Sequence, residues 1–256
     1  MSMNLIKTSI KNIHHSPQNK KMKIQKKDIL YEDNHLIAVN KPATILVQSD
    51  HTNDVPLVEM VRSFIKKKYD KPGNVFTGVI HRIDRPVSGL VLFAKTSKAL
   101  SRMNELFKEK KITKTYWCLT EDIPQEKDGF LEDLLYKNAK KNKSFVDEKK
   151  SKKSLLSKLK YEVISNLDNY YFLKINPITG RHHQIRAQLS HVKAYIKGDL
   201  KYGAKRSNSD GSISLHARSL EFLHPIKKTK IKITCPPPKD NIWDVVLKEF
   251  NKDPHR

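Results

Sequence analysis

The alternation of apolar and polar positions divides the chain into short strands and a few amphipathic helices. Ile29-Leu30-Tyr31 and Leu36-Ile37-Ala38-Val39 are apolar runs separated by Glu32-Asp33-Asn34, whose side chains favour a turn. They predict an antiparallel pair. Between 55 and 69, Leu57, Val58, Val61, Phe64 and Ile65 recur on one helical face. Residues 75–80 and 89–94 predict strands on either side of a polar interruption at 81–88. A helix capped by Ser97 and running to about residue 110 turns Leu100, Met103, Leu106 and Phe107 inward. Residues 112–119 alternate as a strand, and 159–164 with 170–175 predict a hairpin around Asn166-Leu167-Asp168-Asn169. Residues 182–192 suit a helix, and 215–222 and 230–234 return to strand. Pro236-Pro237-Pro238 stops the last strand before a helix at 242–250. Many strands and few helices, not strictly alternating, predict an α+β fold around a mixed or antiparallel sheet.

A chain of 256 residues fits one large or two small domains and can bury a core without staples. Two cysteines, Cys118 and Cys235, are too few for a disulfide framework or a CxxC zinc site. No apolar run approaches the ~20 residues of a membrane span. Charge changes the picture more: 50 Lys+Arg against 27 Asp+Glu gives +23 at neutral pH. Such a balance favours a polyanionic partner, nucleic acid first, although a lysine-rich surface also serves plain solubility. Residues 1–27 hold seven lysines and no acid, and lack the apolar stretch of a secretory signal. They are expected to form a basic, poorly ordered tail ahead of a single domain at 28–256. A second basic stretch, 137–160, has only Asp147 and Glu148 for balance and predicts an exposed hairpin or loop on the RNA-facing or solvent side.

The densest polar constellation is His81-Arg82-Ile83-Asp84-Arg85-Pro86-Val87-Ser88-Gly89. It lies between two apolar strands, a place where rigid elements hold functional loops. Asp84 is flanked by Arg82 and Arg85, and a neighbouring guanidinium favours the ionised carboxylate, a nucleophile or base when partly desolvated. A turn salt bridge explains the same three residues. A second constellation is Thr179-Gly180-Arg181-His182-His183-Gln184-Ile185-Arg186. Gly180 suits a strand-to-helix turn, and Arg181 a cap or phosphate contact. Adjacent His182 and His183 would point apart on a helix and make a poor metal pair; HExxH, GxGxxG and GxxxxGK[ST] are absent.

The stretch HRIDRPVSGLVLFAK resembles the HRLDRxTSGLLLxAK signature of the RluA family of RNA pseudouridine synthases. ILYEDNHLIAVNKPATILV resembles the family's opening block. Lys114-Thr115-Tyr116 is similar to its K-x-Y strand, and TGRHHQIRAQLS to TGRxHQIRxHL. Gly198-Asp199 with Tyr202-Gly203 resembles GDxxYG, and the segment from Leu215 to Pro225 resembles LHAxxLxFxHP. The blocks occur in order across residues 29–225. Thr44 stands where the family has glycine, Pro86-Val87 where it has x-Thr, and Gln188 where it commonly has histidine.

The resemblance implies the pseudouridine synthase fold, a mixed, mostly antiparallel sheet with flanking helices and a catalytic cleft. It implies an isomerase that flips a uridine out of structured RNA without cofactor or metal, ribosomal RNA slightly ahead of transfer RNA. Asp84 becomes the essential carboxylate, either attacking C1′ or removing a ribose proton. Arg186 pairs with it, and Tyr116 stacks on the base and can take the C5 proton. His81, Arg82, Arg181, His183, Gln184 and Leu215 are expected at the RNA or the uracil. The tail is too short for an S4-type RNA-binding domain, so the catalytic domain or the tail must supply affinity. A cytoplasmic monomer without membrane attachment is expected. Two alternatives stay open: a catalytically silent RNA-binding protein on the same fold, and a magnesium-dependent nuclease using Asp84 with His81 or His183.

Overall fold

The computed structural model describes residues 22–50, 52–149 and 151–252. The elements run β1 (Ile29–Glu32), β2 (Leu36–Lys41), α1 (Leu57–Lys68), β3 (Gly78–Val79), β4 (Ser88–Ala94), α2 (Ser97–Lys108), β5 (Thr113–Thr120), β6 (Asp128–Asn138), β7 (Lys143–Val146) and β8 (Leu155–Asn166). They continue with β9 (Tyr171–Pro177), α3 (Gln184–His191), β10 (Leu215–Leu223), β11 (Lys230–Thr234) and α4 (Asn241–Asn251). The strands form one sheet in the order β1-β2-β4-β10-β5-β9-β8-β6-β7, with β11 on β10 and β3 on β4. Among the described strands, β4 and β10 alone run parallel, with His216 opposite Ser88 and Ala217 opposite Gly89. The fold is therefore α+β around a mixed, mostly antiparallel sheet.

The centre of the sheet is covered on both faces, which is why β2 and β4 are almost continuously apolar rather than alternating. Ile37, Val39, Val91 and Phe93 face α1 through Leu57, Val61 and Ile65, in a core that extends to Ile185 and Leu189 of α3. Leu36, Ala38, Leu90 and Leu92 face the other way, onto Ala99 and Met103 of α2. In β5, Trp117 and Leu119 pack with Phe172 against Trp243 and Val246 of α4, while Cys118 joins the first core.

Several boundaries differ from expectation. The strand at 75–80 shrinks to β3. The hydroxyl of Thr96, not Ser97, caps α2, accepting from the amide of Ala99 at 3.2 Å. Ile24 is buried in the first core, so the ordered fold takes in residues ahead of Asp28; residues 1–21 of the expected tail lie outside the described residues. The lysine-rich stretch at 137–160 contributes the end of β6, β7 and the start of β8, so much of it is sheet. No helix among the described residues is long and apolar enough to cross a membrane.

Candidate active site

Asp84 sits in the loop between β3 and β4, and three elements hold that loop. Lys41, at the end of β2 and 0 % exposed, donates from Nζ to the carbonyls of Pro42, Ile45 and Arg85 at 3.0, 2.8 and 3.1 Å. Burial pushes this ammonium down to about 7, opposed by the Asp84 charge. The amide of Thr44 donates to the carbonyl of Arg85 at 2.7 Å, and that of Ile213 to the carbonyl of Pro86 at 3.1 Å. Inside the loop, Val87 donates to the carbonyl of Asp84 at 3.1 Å, closing a turn. Gly89 follows at φ +118°, and a Cβ there would lie 2.4 Å from the carbonyl oxygen of Ala217. The parallel pairing with β10 therefore requires glycine at this point.

The arginines flanking Asp84 are not its partners, which corrects the reading from local sequence. Arg85 is turned outward, donating to the carbonyl of Thr44 at 3.0 Å and pairing with Asp54. Arg82 is exposed and makes no ion pair among the described residues. Chain neighbours in a tight turn diverge, and the carboxylate is instead met by α3. Arg186 Nη1 lies 3.0 Å from Asp84 Oδ2. Its remaining face grips Asp199, with Nε 2.6 Å from Oδ2 and Nη2 2.7 Å from Oδ1. Burial opposes the Arg186 charge, but the Asp199 and Asp84 carboxylates outweigh it and raise the guanidinium's pKa. Bidentate locking of this kind orients a guanidinium as well as charging it.

The histidine pair is a second correction. α3 begins at Gln184, and His183 adopts the left-handed region at φ 53°. The two rings do not point apart; they stack, with centroids 3.8 Å apart. His183 Nε2 lies 3.6 Å from Asp84 Oδ2, and Nδ1 is 3.0 Å from the hydroxyl of Tyr202. Burial lowers this histidine to about 3, against the pull of Asp84. His182 Nδ1 is 2.9 Å from the hydroxyl of Ser144 on β7. Tyr202 carries the Arg186 guanidinium over its ring at 4.8 Å and the Lys143 ammonium at 4.6 Å. The basic hairpin thus packs beside the site.

Tyr116, on β5 opposite Ala217, is near enough to Asp84 that the carboxylate, after burial, raises its phenol's pKa. Other expected contacts turn inward. His81 Nε2 accepts from the amide of Leu92 at 3.0 Å, its ring stacks on Phe107, and burial lowers it to about 4. Gln184 spends its amide within the fold: Oε1 accepts from the Thr179 hydroxyl and the Arg181 amide, and Nε2 donates to Lys158 O and Gln188 Oε1. No capacity is left for RNA. Leu215 is buried in the first core. Arg181 is exposed and donates to the carbonyl of Leu156 at 3.3 Å. Gln188 Nε2 donates to Asp133 at 2.7 Å and lies within reach of the carbonyls of Leu131 and Ser157 at 3.2 and 3.3 Å.

The fold is that of pseudouridine synthases. The human RNA pseudouridylate synthase domain containing 4 superposes with a TM-score of 0.71 at 21 % identity, over 88 % of this chain and 93 % of that one. The human domain-containing 1 protein gives 0.65 at 20 % identity, over 89 % and 97 %. Residues 35–191 match the family model described as RNA pseudouridylate synthase. A ribosomal large subunit pseudouridine synthase C of Buchnera aphidicola subsp. Baizongia pistaciae is 32 % identical, covering 92 % of this chain and 76 % of that protein. A tRNA pseudouridine synthase C of Haemophilus ducreyi is 33 % identical, covering 87 % and 95 %. The chain belongs to the RluA-type RNA pseudouridylate synthase family. It is an isomerase that acts on RNA and rearranges the uridine's own atoms.

Proposed function

We propose that the enzyme isomerises uridines of structured ribosomal RNA through Asp84, which meets the ribose of a flipped nucleotide. The observation that carries this reading is the Asp84–Arg186–Asp199 chain: Arg186 is clamped by buried Asp199 through Nε and Nη2 and turns Nη1 to Asp84, whose side chain stays 27 % exposed. One carboxylate is thus oriented and partly open to a ligand, unlike the paired carboxylates of ordinary glycoside hydrolysis. The C1′–N1 bond breaks, the uracil turns, and C5 bonds to C1′; C5 loses a proton and the freed N1 ends carrying one, so that atoms balance without a co-reactant. Asp84 acts either by attack on C1′ or by removing a ribose proton. Tyr116 stacks on the base. Burial and the Asp84 charge keep its phenol protonated, so it can take the C5 proton only after giving up its own. Arg82, exposed beside the loop, fills the stack the flipped base vacates.

Transfer RNA is the second reading, because likeness does not separate the two: this chain is 33 % identical to the Haemophilus ducreyi tRNA enzyme and 32 % identical to the Buchnera ribosomal one. Mapping pseudouridines across total RNA with and without the gene decides. Loss of discrete sites in large-subunit RNA supports the first reading, loss confined to transfer RNA the second, and no loss anywhere refutes both. With the mapped RNA, Asp84→Asn should lower turnover at least about a thousandfold while RNA affinity survives. Arg186→Lys should also fail in turnover, because an ammonium cannot grip Asp199 and Asp84 in one plane. Near-parental rates in either variant would show that the site is misassigned.

A further inference from the structure

The left-handed turn at His183 presents one ring nitrogen to Tyr202 and the other to Asp84. A tyrosine hydroxyl has one proton and two lone pairs. That of Tyr202 meets three groups: the amide of Ser144 at 2.8 Å, the carbonyl of Ser144 at 3.2 Å and Nδ1 of His183 at 3.0 Å. The amide can only donate and the carbonyl only accept. The hydroxyl's proton therefore goes to the carbonyl, and one lone pair receives the amide. A lone pair is all that faces His183, so Nδ1 must bring the proton. The opposite arrangement, with Tyr202 donating to Nδ1, would orphan the carbonyl of a residue that is 2 % exposed. A neutral imidazole has a single N–H, and burial holds this one neutral. Nε2 is thus a bare acceptor, 3.6 Å from Asp84 Oδ2, too far for a direct hydrogen bond and facing another acceptor.

We propose that His183 Nε2 accepts a hydrogen bond from the 2′-hydroxyl of the target ribose, making His183 the residue that distinguishes a ribonucleotide target from a deoxyribonucleotide. This role rests on the reading that Asp84 meets the ribose at C1′ or C2′. Within an RNA chain the 3′ and 5′ oxygens are esterified, so a uridine offers two donors, the 2′-hydroxyl and N3–H. The 2′-hydroxyl is carried by the carbon next to C1′; N3–H lies on the base-pairing edge of the uracil, beyond C2, and points away from the sugar. An acceptor beside the carboxylate that addresses the sugar is reached by the first and not the second. The hydroxyl also supplies the donor that a histidine lone pair and a carboxylate oxygen, set side by side, both lack.

Synthetic RNA stem-loops carrying the mapped uridine, with either ribose or 2′-deoxyribose at that one position, test the assignment. The parent enzyme should process the deoxy substrate at least about tenfold more slowly in kcat/KM. His183→Asn keeps a donor at the Nδ1 position for Tyr202 and a residue that tolerates positive φ, but has no atom at Nε2. It should slow on the ribose substrate and bring the ribose-to-deoxyribose ratio to within about twofold of unity. His183→Gln, whose amide oxygen reaches the Nε2 position, should recover part of that ratio. A ratio in His183→Asn equal to the parent's, or no preference in the parent, overturns the proposal. The ¹⁵N shifts of the His183 ring add a readout independent of turnover: protonation at Nε2 instead of Nδ1 also overturns it. Asp84→Asn separates the two readings. If that variant stays active, the assignment of the site has failed; if it is inactive while His183→Asn keeps the parental ratio, only the 2′-hydroxyl contact has failed.

Discussion

Thr44 holds φ 73°, with its amide bonded to Arg85 O at 2.7 Å and its carbonyl accepting from Arg85 Nε at 3.0 Å. A β-branched residue in the left-handed region costs about 1–2 kcal/mol, so Thr44→Gly should stabilise by about 1 kcal/mol after the extra chain entropy of the unfolded glycine is subtracted. A higher denaturant midpoint at unchanged m-value would register it. His216 gives a pH signature. Its Nδ1 lies 2.9 Å from the Ser88 hydroxyl, its Nε2 3.2 Å from the carbonyl of Cys235, and burial lowers it to about 4. The unfolded chain takes up this proton first, so the stability is whole above pH ~6.5 and is lost as pH falls towards 4, by about 3 kcal/mol at the acid end. His216→Gln should flatten that window in unfolding titrations; an unchanged slope would place the acid sensitivity elsewhere. At this scale the sequence was partly legible. The family blocks single out Asp84, Tyr116 and Arg186, and the fold brings Arg186 against Asp84, whereas local reading paired Asp84 with Arg82 and Arg85. The sequence gives Asp199 and Tyr202 no role, because what they do exists only where their segment meets Arg186 and His183 at the start of α3.

The elements with clean periods were the readable ones. β2, β4, α1 and α4 carry apolar faces that the core fills. β6 was missed because its apolar residues come in adjacent pairs, Phe130-Leu131 and Leu134-Leu135, between Asp128, Glu132 and Asp133, so strict alternation is broken. The start of α3 was misplaced because His183, not a glycine, makes the left-handed turn. The sharpest constraint between elements is at Gly89, where β4 and β10 touch. Gly89→Ala would drive a Cβ into the backbone of Ala217 and strain a positive φ, so a loss of several kcal/mol is expected, on the scale of overpacked cores. Because Asp84 hangs from the same strand, residual folded Gly89→Ala should also show reduced turnover. Parental melting and parental rates would mean that the strands can separate without cost.

For the whole molecule, one sheet covered on both faces provides the rigidity, and +23 of net charge provides a long-range pull on RNA. Affinity should fall with salt at a slope near −0.7 per neutralised phosphate on single-stranded targets, and removal of residues 1–21 should reduce that slope with kcat at saturation unchanged. Filter binding across a salt series measures both; a flat response would remove electrostatics from the account. The hydroxyl of Tyr202 has one more consequence, at the margin of the sheet. β7 is a terminal strand, and terminal strands invite a foreign chain to add itself. At Ser144 the outward amide and carbonyl are already answered by that single hydroxyl, which imitates the missing peptide group. A foreign strand pairing at Ser144 would first have to displace that hydroxyl, and with it the ring that lies under Arg186.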